Sequence, residues 1–192
     1  IFDEVITGFG RLGTAFAADK CDIKPDIITT AKGLTSGAMP MGAVIASTEI
    51  YDKIINNSQT PVEFFHGYTY SGHPLACAAA IATIQVYKEE KLIERVAYLE
   101  EFFQEQIHLL RKCKYVIDIR NIGLMGAIQL SSRTGNIGSR GKEVFELCYK
   151  KGVLVRPIGD TIALSPAFII SKEQITELFT VIKDVINIIE WL

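Results

Sequence analysis

Histidine and cysteine are scarce in this 192-residue chain, with three and four copies, and neither is grouped as a metal site requires. Cys21, Cys77, Cys113 and Cys148 are widely spaced with no C-x-x-C, which argues against a disulfide framework or a zinc ribbon. Cys77 and Cys148 fall within helical apolar patterns and read as buried free thiols, which suits a reducing cytoplasm. His66 and His73 lack a third ligand nearby, so they read as turn and packing residues rather than a zinc pair, and His108 carries no signal. There is no excess of either charge. Twenty basic residues are scattered among 22 acidic ones for a net charge of -2, which gives no electrostatic reason to expect nucleic acid or a membrane surface. No apolar run reaches membrane-spanning length, no signal peptide is recognisable, and neither an internal repeat nor a low-complexity segment occurs. An initiator methionine is also missing. The chain opens at Ile1, in what reads as a strand already under way.

What is present is an ordinary globular composition, 48% hydrophobic and 22% charged, long enough for one large domain or parts of two. Ile1 to Ile6, Asp26 to Thr30 and Met41 to Ala46 read as short apolar strands, as expected for a buried, mainly parallel sheet covered by helices. From Pro74 the pattern turns helical. Leu75 to Val86 is rich in small residues, and Leu92, Val96, Leu99, Phe103, Ile107 and Leu110 mark an amphipathic helix. The character changes near Lys88, which predicts one domain over residues 1–88 and a smaller α+β domain over 89–192. In the latter, strands are predicted at Val116–Ile119, Leu124–Leu130, Val153–Arg156 and Thr161–Leu164. A helix is predicted over Ser139–Lys151 with Gly152 in the stop position, and another after the capping-box spacing Ser171-Lys-Glu-Gln174.

The chemistry concentrates near the start. Asp3 ends one apolar strand and Lys32 ends a second, in Pro25-Asp-Ile-Ile-Thr-Thr-Ala-Lys-Gly-Leu34. A lysine directly after a strand and before Gly33 sits at the carboxyl edge of a sheet, where α/β folds place ligands. Adjacent strand residues point to opposite faces, so of Asp3 and Glu4 only one can face such a ligand. Gly8-Phe-Gly-Arg-Leu-Gly13 satisfies G-x-G-x-x-G. It lacks both the long helix and the well-placed acidic residue of a dinucleotide site, so NAD is rejected. Thr69 lies in a hydroxyl-rich stretch ahead of a helix N-terminus, a natural place for phosphate. Arg156 ends an apolar strand and must reach solvent or find a carboxylate, which its planar fork binds through two parallel bonds.

Taken together, Asp3 to Arg11, Thr30-Ala-Lys-Gly33 and His66-Gly-Tyr-Thr-Tyr-Ser-Gly-His-Pro74 resemble the class III (omega) aminotransferases, which depend on pyridoxal 5'-phosphate (PLP) and have PLP fold type I. The resemblance covers the whole chain but only the second half of the family pattern. The chain is therefore expected to be an α/β C-terminal part of the large PLP domain followed by the small α+β C-terminal domain, and inactive in isolation. By resemblance Lys32 forms the Schiff base with the cofactor and later moves a proton. Asp3 partners the pyridinium nitrogen, Val5 packs against the ring on the same face, and Glu4 is structural. Thr69 reaches the cofactor phosphate of the neighbouring subunit, which implies a homodimer or tetramer with shared sites. Arg156 binds the substrate carboxylate. The implied reaction moves an amino group from a β-alanine-like omega-amino acid or amine to a keto acid such as pyruvate. Two alternatives stand beside it: a diaminopelargonate-forming aminotransferase of the biotin pathway, and a catalytically inactive fragment.

Overall fold

The structure is a computed structural model that describes residues 1–59, 64, 66, 67 and 69–189. It separates into two compact units, Ile1–Ile93 and Glu94–Leu192.

In the first unit, β1 (Phe2–Asp3), β2 (Ile27–Thr30) and β3 (Ala43–Ala46) form a sheet in the order β1-β2-β3. β1 and β2 run parallel, with Phe2 opposite Ile28 and Asp3 opposite Thr29, whereas β2 and β3 are antiparallel. The expected mainly parallel sheet is thus a mixed one among the described residues. The β2–β3 connection contains only a 3₁₀ turn (Lys32–Leu34) and no crossover helix, so the chain folds straight back. The first strand also ends sooner than its apolar run. After Asp3 the backbone turns, and the Gly8 N–H donates to the Glu4 carbonyl at 2.9 Å. α1 (Ala17–Lys20), α2 (Thr48–Asn57) and α3 (Pro74–Glu89) complete this unit. β3 was expected to be buried. Instead Val44 and Ile45 are exposed, because no layer of described residues covers them.

The second unit is a two-layer α/β structure with its own closed core. It contains most of α4 (Leu92–His108), then β4 (Val116–Ile122), β5 (Met125–Leu130), α5 (Ser139–Lys150), β6 (Arg156–Ile158), β7 (Thr161–Leu164) and α6 (Lys172–Ile188). The sheet order is β4-β5-β7-β6, antiparallel throughout. Period-2 alternation buries Gly126, Ile128 and Leu130 on β5 and Ile162 and Leu164 on β7, with the residues between them half-buried. Phe103 and Ile107 of α4 meet β5 at Gly126, where a Cβ would stand 2.5 Å from Ile107 Cδ1. Phe103 packs edge-on against Phe179 of α6, with ring centroids 5.2 Å apart. Arg95 pins the start of this layer by donating to the carbonyls of Phe168, Ile169 and Ile170 at 3.0, 3.1 and 2.8 Å.

Both helix signals read from the sequence operate here. Gly152 follows α5 with φ +83°, and Ser171 Oγ accepts from Gln174 N at 3.2 Å while Gln174 Oε1 accepts from Ser171 N at 2.9 Å. The strand expected over Val153–Arg156 is displaced. Pairing runs from Arg156 to Ile158 opposite Thr161–Ala163, so Arg156 opens the strand rather than closing it. The hairpin turn that sets this register is anchored by Asp160, whose carboxylate accepts from Gly138 N at 2.7 Å and Gly141 N at 3.0 Å. Burial would raise the Asp160 pKa, but hydrogen bonds from Gly138, Gly141, Ser132 and Arg140 outweigh it and hold the carboxyl below its ordinary value. That stabilisation is present above the unfolded carboxyl's pKa and is lost as pH falls through the lowered one.

Gly141 in α5 gives a test of this packing. In an unobstructed helix, glycine to alanine stabilises by up to about 1 kcal/mol. Here a Cβ would lie 2.1 Å from the Gly159 carbonyl oxygen and 3.1 Å from Asp160 Cα, both backbone atoms that cannot rotate aside. Gly141→Ala is expected to destabilise by roughly 1–3 kcal/mol, read as a lower urea midpoint. A raised midpoint would show that the helix and hairpin do not pack this closely.

Candidate active site

The candidate site is built at the carboxyl edge of the parallel pair β1–β2. Asp3 is the last residue of β1, and Lys32 follows β2 by two residues. The in-register pairing of Asp3 with Thr29 brings the two strand ends side by side, and neighbouring strands lie about 4.8 Å apart. Both side chains are exposed at that edge. Asp3 Oδ1 accepts from Val5 N at 3.1 Å, an Asx-type turn that fixes the carboxylate where the strand stops. Val5 therefore lies beyond the strand. Its direction is set by the turn and not by the two-residue alternation with Asp3 expected from the sequence.

Glu4 faces the other way and is fully buried. Its carboxylate accepts from Ala17 N at 2.9 Å, from Ala18 N at 2.8 Å and from the Thr7 hydroxyl. A buried carboxylate with this many donors is a structural tie, here between the end of β1 and the N-terminus of α1. The segment it closes, residues 5–16, contains the G-x-G-x-x-G spacing. α1 is only four residues long, too short for a dinucleotide crossover helix.

Lys32 is held in a conformation that lysine disfavours. Its φ is +40°, in the left-handed region, and Ser36 (+50°) and Gly37 (+76°) in the same turn share it. A non-glycine residue there costs on the order of 1–3 kcal/mol and persists only where its surroundings enforce it. The Lys32 carbonyl accepts from Thr35 N at 3.4 Å and Gly37 N at 3.3 Å, Leu34 N donates to the Ala31 carbonyl at 2.9 Å, and Thr35 Oγ1 donates to the Met39 carbonyl at 2.6 Å. Gly33 is pressed against the facing turn. A Cβ there would stand 3.0 Å from Phe9 Cβ and 3.3 Å from the Gly8 carbonyl oxygen, and Phe9 is itself left-handed at φ +62°.

Tyr87 and Ser36 at this turn escape a reading of the sequence by motif. Tyr87, buried near the end of α3, donates its hydroxyl to the Gly33 carbonyl at 2.7 Å. Ser36 hydrogen-bonds the phenol and Arg11 lies within electrostatic reach of it. Burial raises the Tyr87 pKa more than Ser36 and Arg11 lower it, so the hydroxyl remains a donor. The one available signal was a large aromatic with a polar tip closing an otherwise small-residue helix, because such a tip must find a partner when buried.

The remaining candidates lie elsewhere. Thr69 is exposed in the turn that precedes α3, which opens with Pro74 at its first position. Tyr68, in the same motif, lies outside the described residues. Arg156 is exposed at the start of β6 in the second unit. No group of His, Cys, Asp and Glu among the described residues could hold a metal ion. All four cysteines are free, and burial pushes the Cys148 thiol up to about 11.

Comparison with known proteins gives the fold and the family. Over 96% of the chain and 44% of its own length, a solved transaminase from the marine bacterium Virgibacillus superimposes with a TM-score of 0.86 at 35% identity. The fold is thus that of the transaminases, PLP fold type I. The family model for aminotransferase class III matches residues 1–186, and the chain belongs to that family. It is 49% identical to an omega-aminotransferase of Caulobacter vibrioides over 97% of this chain and 43% of the relative. It is 45% identical to a β-alanine–pyruvate aminotransferase of Pseudomonas aeruginosa over 97% of this chain and 42% of the relative. The chain thus spans less than half the length of these relatives.

The left-handed lysine makes a stability prediction independent of activity. At most positions alanine is the more stabilising replacement, by about 0.5–1 kcal/mol over glycine. At residue 32 the order is expected to reverse, with Lys32→Gly more stable than Lys32→Ala by up to about 1 kcal/mol in urea denaturation. The ordinary order would show that the turn stores no strain.

Proposed function

We propose that a protein built on this chain carries out PLP-dependent transamination, moving an amino group from a β-alanine-like omega-amino acid or amine to a keto acid such as pyruvate. The observation that carries the proposal is the placement of a carboxylate and a lysine on the carboxyl edges of two adjacent, in-register parallel strands. When bound, PLP supplies an electron sink that stabilises negative charge at the substrate carbon. The donor set fits it. Asp3 offers a carboxylate, already oriented by Val5 N, to hold a protonated ring nitrogen through a charge-assisted hydrogen bond. Lys32 offers a primary amine for covalent attachment, and its Nζ then serves as the group that carries a proton to and from the substrate carbon.

Family resemblance supports further roles as part of this proposal. Val5 packs against the ring. Thr69, ahead of the α3 N-terminus, binds the cofactor phosphate of a neighbouring subunit, so the assembly is a dimer or tetramer with shared sites. Arg156, exposed and uncommitted to a carboxylate in its own strand pair, binds the substrate carboxylate. Residues 1–88 are the C-terminal part of the large PLP domain and 89–192 the small domain. No helix among the described residues is long and apolar enough to cross a membrane, and the free thiols suit a cytoplasmic setting.

The test is an absorption spectrum of a protein of the relatives' length with PLP, taken before and after β-alanine, beside Lys32→Ala. A visible band that requires Lys32, is bleached by β-alanine and returns with pyruvate is the expected result. A Lys32-dependent band indifferent to β-alanine would preserve the class and remove the substrate, turning attention to a diaminopelargonate-forming activity. No Lys32-dependent band would end the proposal. The 192 residues alone are expected to show no turnover.

A further inference from the structure

We propose that Tyr87 is a positioning residue for Lys32, its hydroxyl clamping the Gly33 carbonyl so that the strained lysine turn presents its amine in one direction. The inference rests on the transaminase reading for its consequence but not for its geometry. Three observations converge on the turn. Lys32 is left-handed at φ +40° with no glycine to absorb the cost, so something outside the turn must hold it. From one side, Gly8 and Phe9 press on Gly33 at distances that leave only a tight fit for a Cβ. From the other, the buried Tyr87 phenol donates to the carbonyl of the residue next to the lysine, at 2.7 Å.

Within the turn, short hydrogen bonds join Leu34 to Ala31 and Thr35 to Met39, but the lysine's own carbonyl is held more loosely. The two bonds to the Lys32 carbonyl are long, at 3.4 and 3.3 Å, and Lys32, Ser36 and Gly37 are all exposed. The Tyr87 bond differs in origin: it is short and comes from a helix more than fifty residues away in sequence. The Gly33 carbonyl lies one peptide plane beyond the lysine, so fixing it restrains the Lys32 backbone through Gly33, which Gly8 and Phe9 crowd from the other side. Relaxation toward right-handed φ would redirect Cβ, and the displacement is magnified at Nζ at the far end of a four-carbon stem. Ser36, hydrogen-bonded to the same phenol, closes the clamp on the far side of the turn.

Tyr87→Phe removes the hydroxyl and keeps the ring, and Ser36→Ala removes only the second bond to the phenol. Both are made in a protein of the relatives' length. In the cofactor-free form, hydrogen–deuterium exchange over residues 31–37 is the first readout. With PLP bound, the readouts are the visible circular dichroism of the cofactor and the separate kcat and KM. Tyr87→Phe is expected to speed exchange of the turn amides selectively, with β2 and α3 and the melting temperature little changed. It should also weaken the circular dichroism band and lower kcat roughly tenfold at near-constant KM, as a misdirected reacting group does. Ser36→Ala should move each readout the same way by less. Native exchange, native circular dichroism and native kcat in Tyr87→Phe would overturn the clamp while the Lys32-dependent band stands. General loosening with a lowered melting temperature, and no selective change in the turn of either variant, would also overturn it by reducing Tyr87 to a core residue. Absence of a Lys32-dependent band in the unaltered protein would instead overturn the transaminase reading itself.

Discussion

A fully buried carboxylate, Glu4, is the interaction on which the candidate site depends. Its oxygens collect the Ala17 and Ala18 N–H groups and the Thr7 hydroxyl, and its backbone N–H continues the β1–β2 ladder by donating to the Thr29 carbonyl at 2.9 Å. One residue therefore joins the sheet, the start of α1 and the intervening segment. That segment carries Gly8 and Phe9, the surface against which Gly33 is pressed. The chain of dependence runs from Glu4 to the loop, from the loop to Gly33, and from Gly33 to the direction of Lys32. Removing such a group leaves several buried donors without acceptors at once, each costing on the order of 1–3 kcal/mol. The neighbour of the proposed cofactor-binding aspartate is thus as necessary as the aspartate, for a wholly different reason. Strand alternation assigns the two roles.

The site was legible in the sequence where its signal is local and chemical. A carboxylate ending one apolar run and a lysine ending another need only the rule that α/β sheets present functional groups at their carboxyl edges. Glycine at 33 and 152, the Ser171–Gln174 box and the two long amphipathic helices are equally local. What escaped is non-local. Tyr87 belongs to the lysine turn only because α3 folds back on it, and no spacing relates it to residue 33. Arg156 was assigned to a strand end because Val153–Arg156 is apolar. Pairing to β7 instead begins at Arg156, a register set by the Asp160 anchor and not by hydrophobicity. The early end of β1 is a local exception, since Asp3 turns the chain with its own side chain before the apolar run is exhausted.

The two units also differ in how far they satisfy their own chemistry. In the second, alternation on β5 and β7 is clean, Phe103, Ile107, Phe179 and Ile182 are sealed, and a glycine is retained where α4 meets the sheet. Each level of pattern agrees with the next, as expected of a unit that closes its own core. In the first, β3 leaves Val44 67% and Ile45 48% exposed, and α3, apolar around its circumference, leaves Ile81 67% exposed. A helix without a polar face is a helix meant to be covered. Apolar strands and helices of this kind read as buried elements from sequence, whereas the described residues leave them exposed.

This contrast bears on the lysine turn. A left-handed Lys32 and a left-handed Phe9 facing each other across Gly33 are a local cost that the small sheet of the first unit must carry. Strain of this kind is retained only when the surrounding structure over-determines the backbone. Here that surrounding consists of the Glu4 tie on one side and the α3 tyrosine on the other. Any added cover over β3 and α3 would stiffen the turn from two directions, because β3 pairs with β2 immediately before it and α3 carries the phenol. The stability of the apolar layers and the direction of the lysine amine are therefore coupled. Loosening the packing of α3 would act on the chemistry through a single hydrogen bond to the Gly33 carbonyl, without touching the lysine itself.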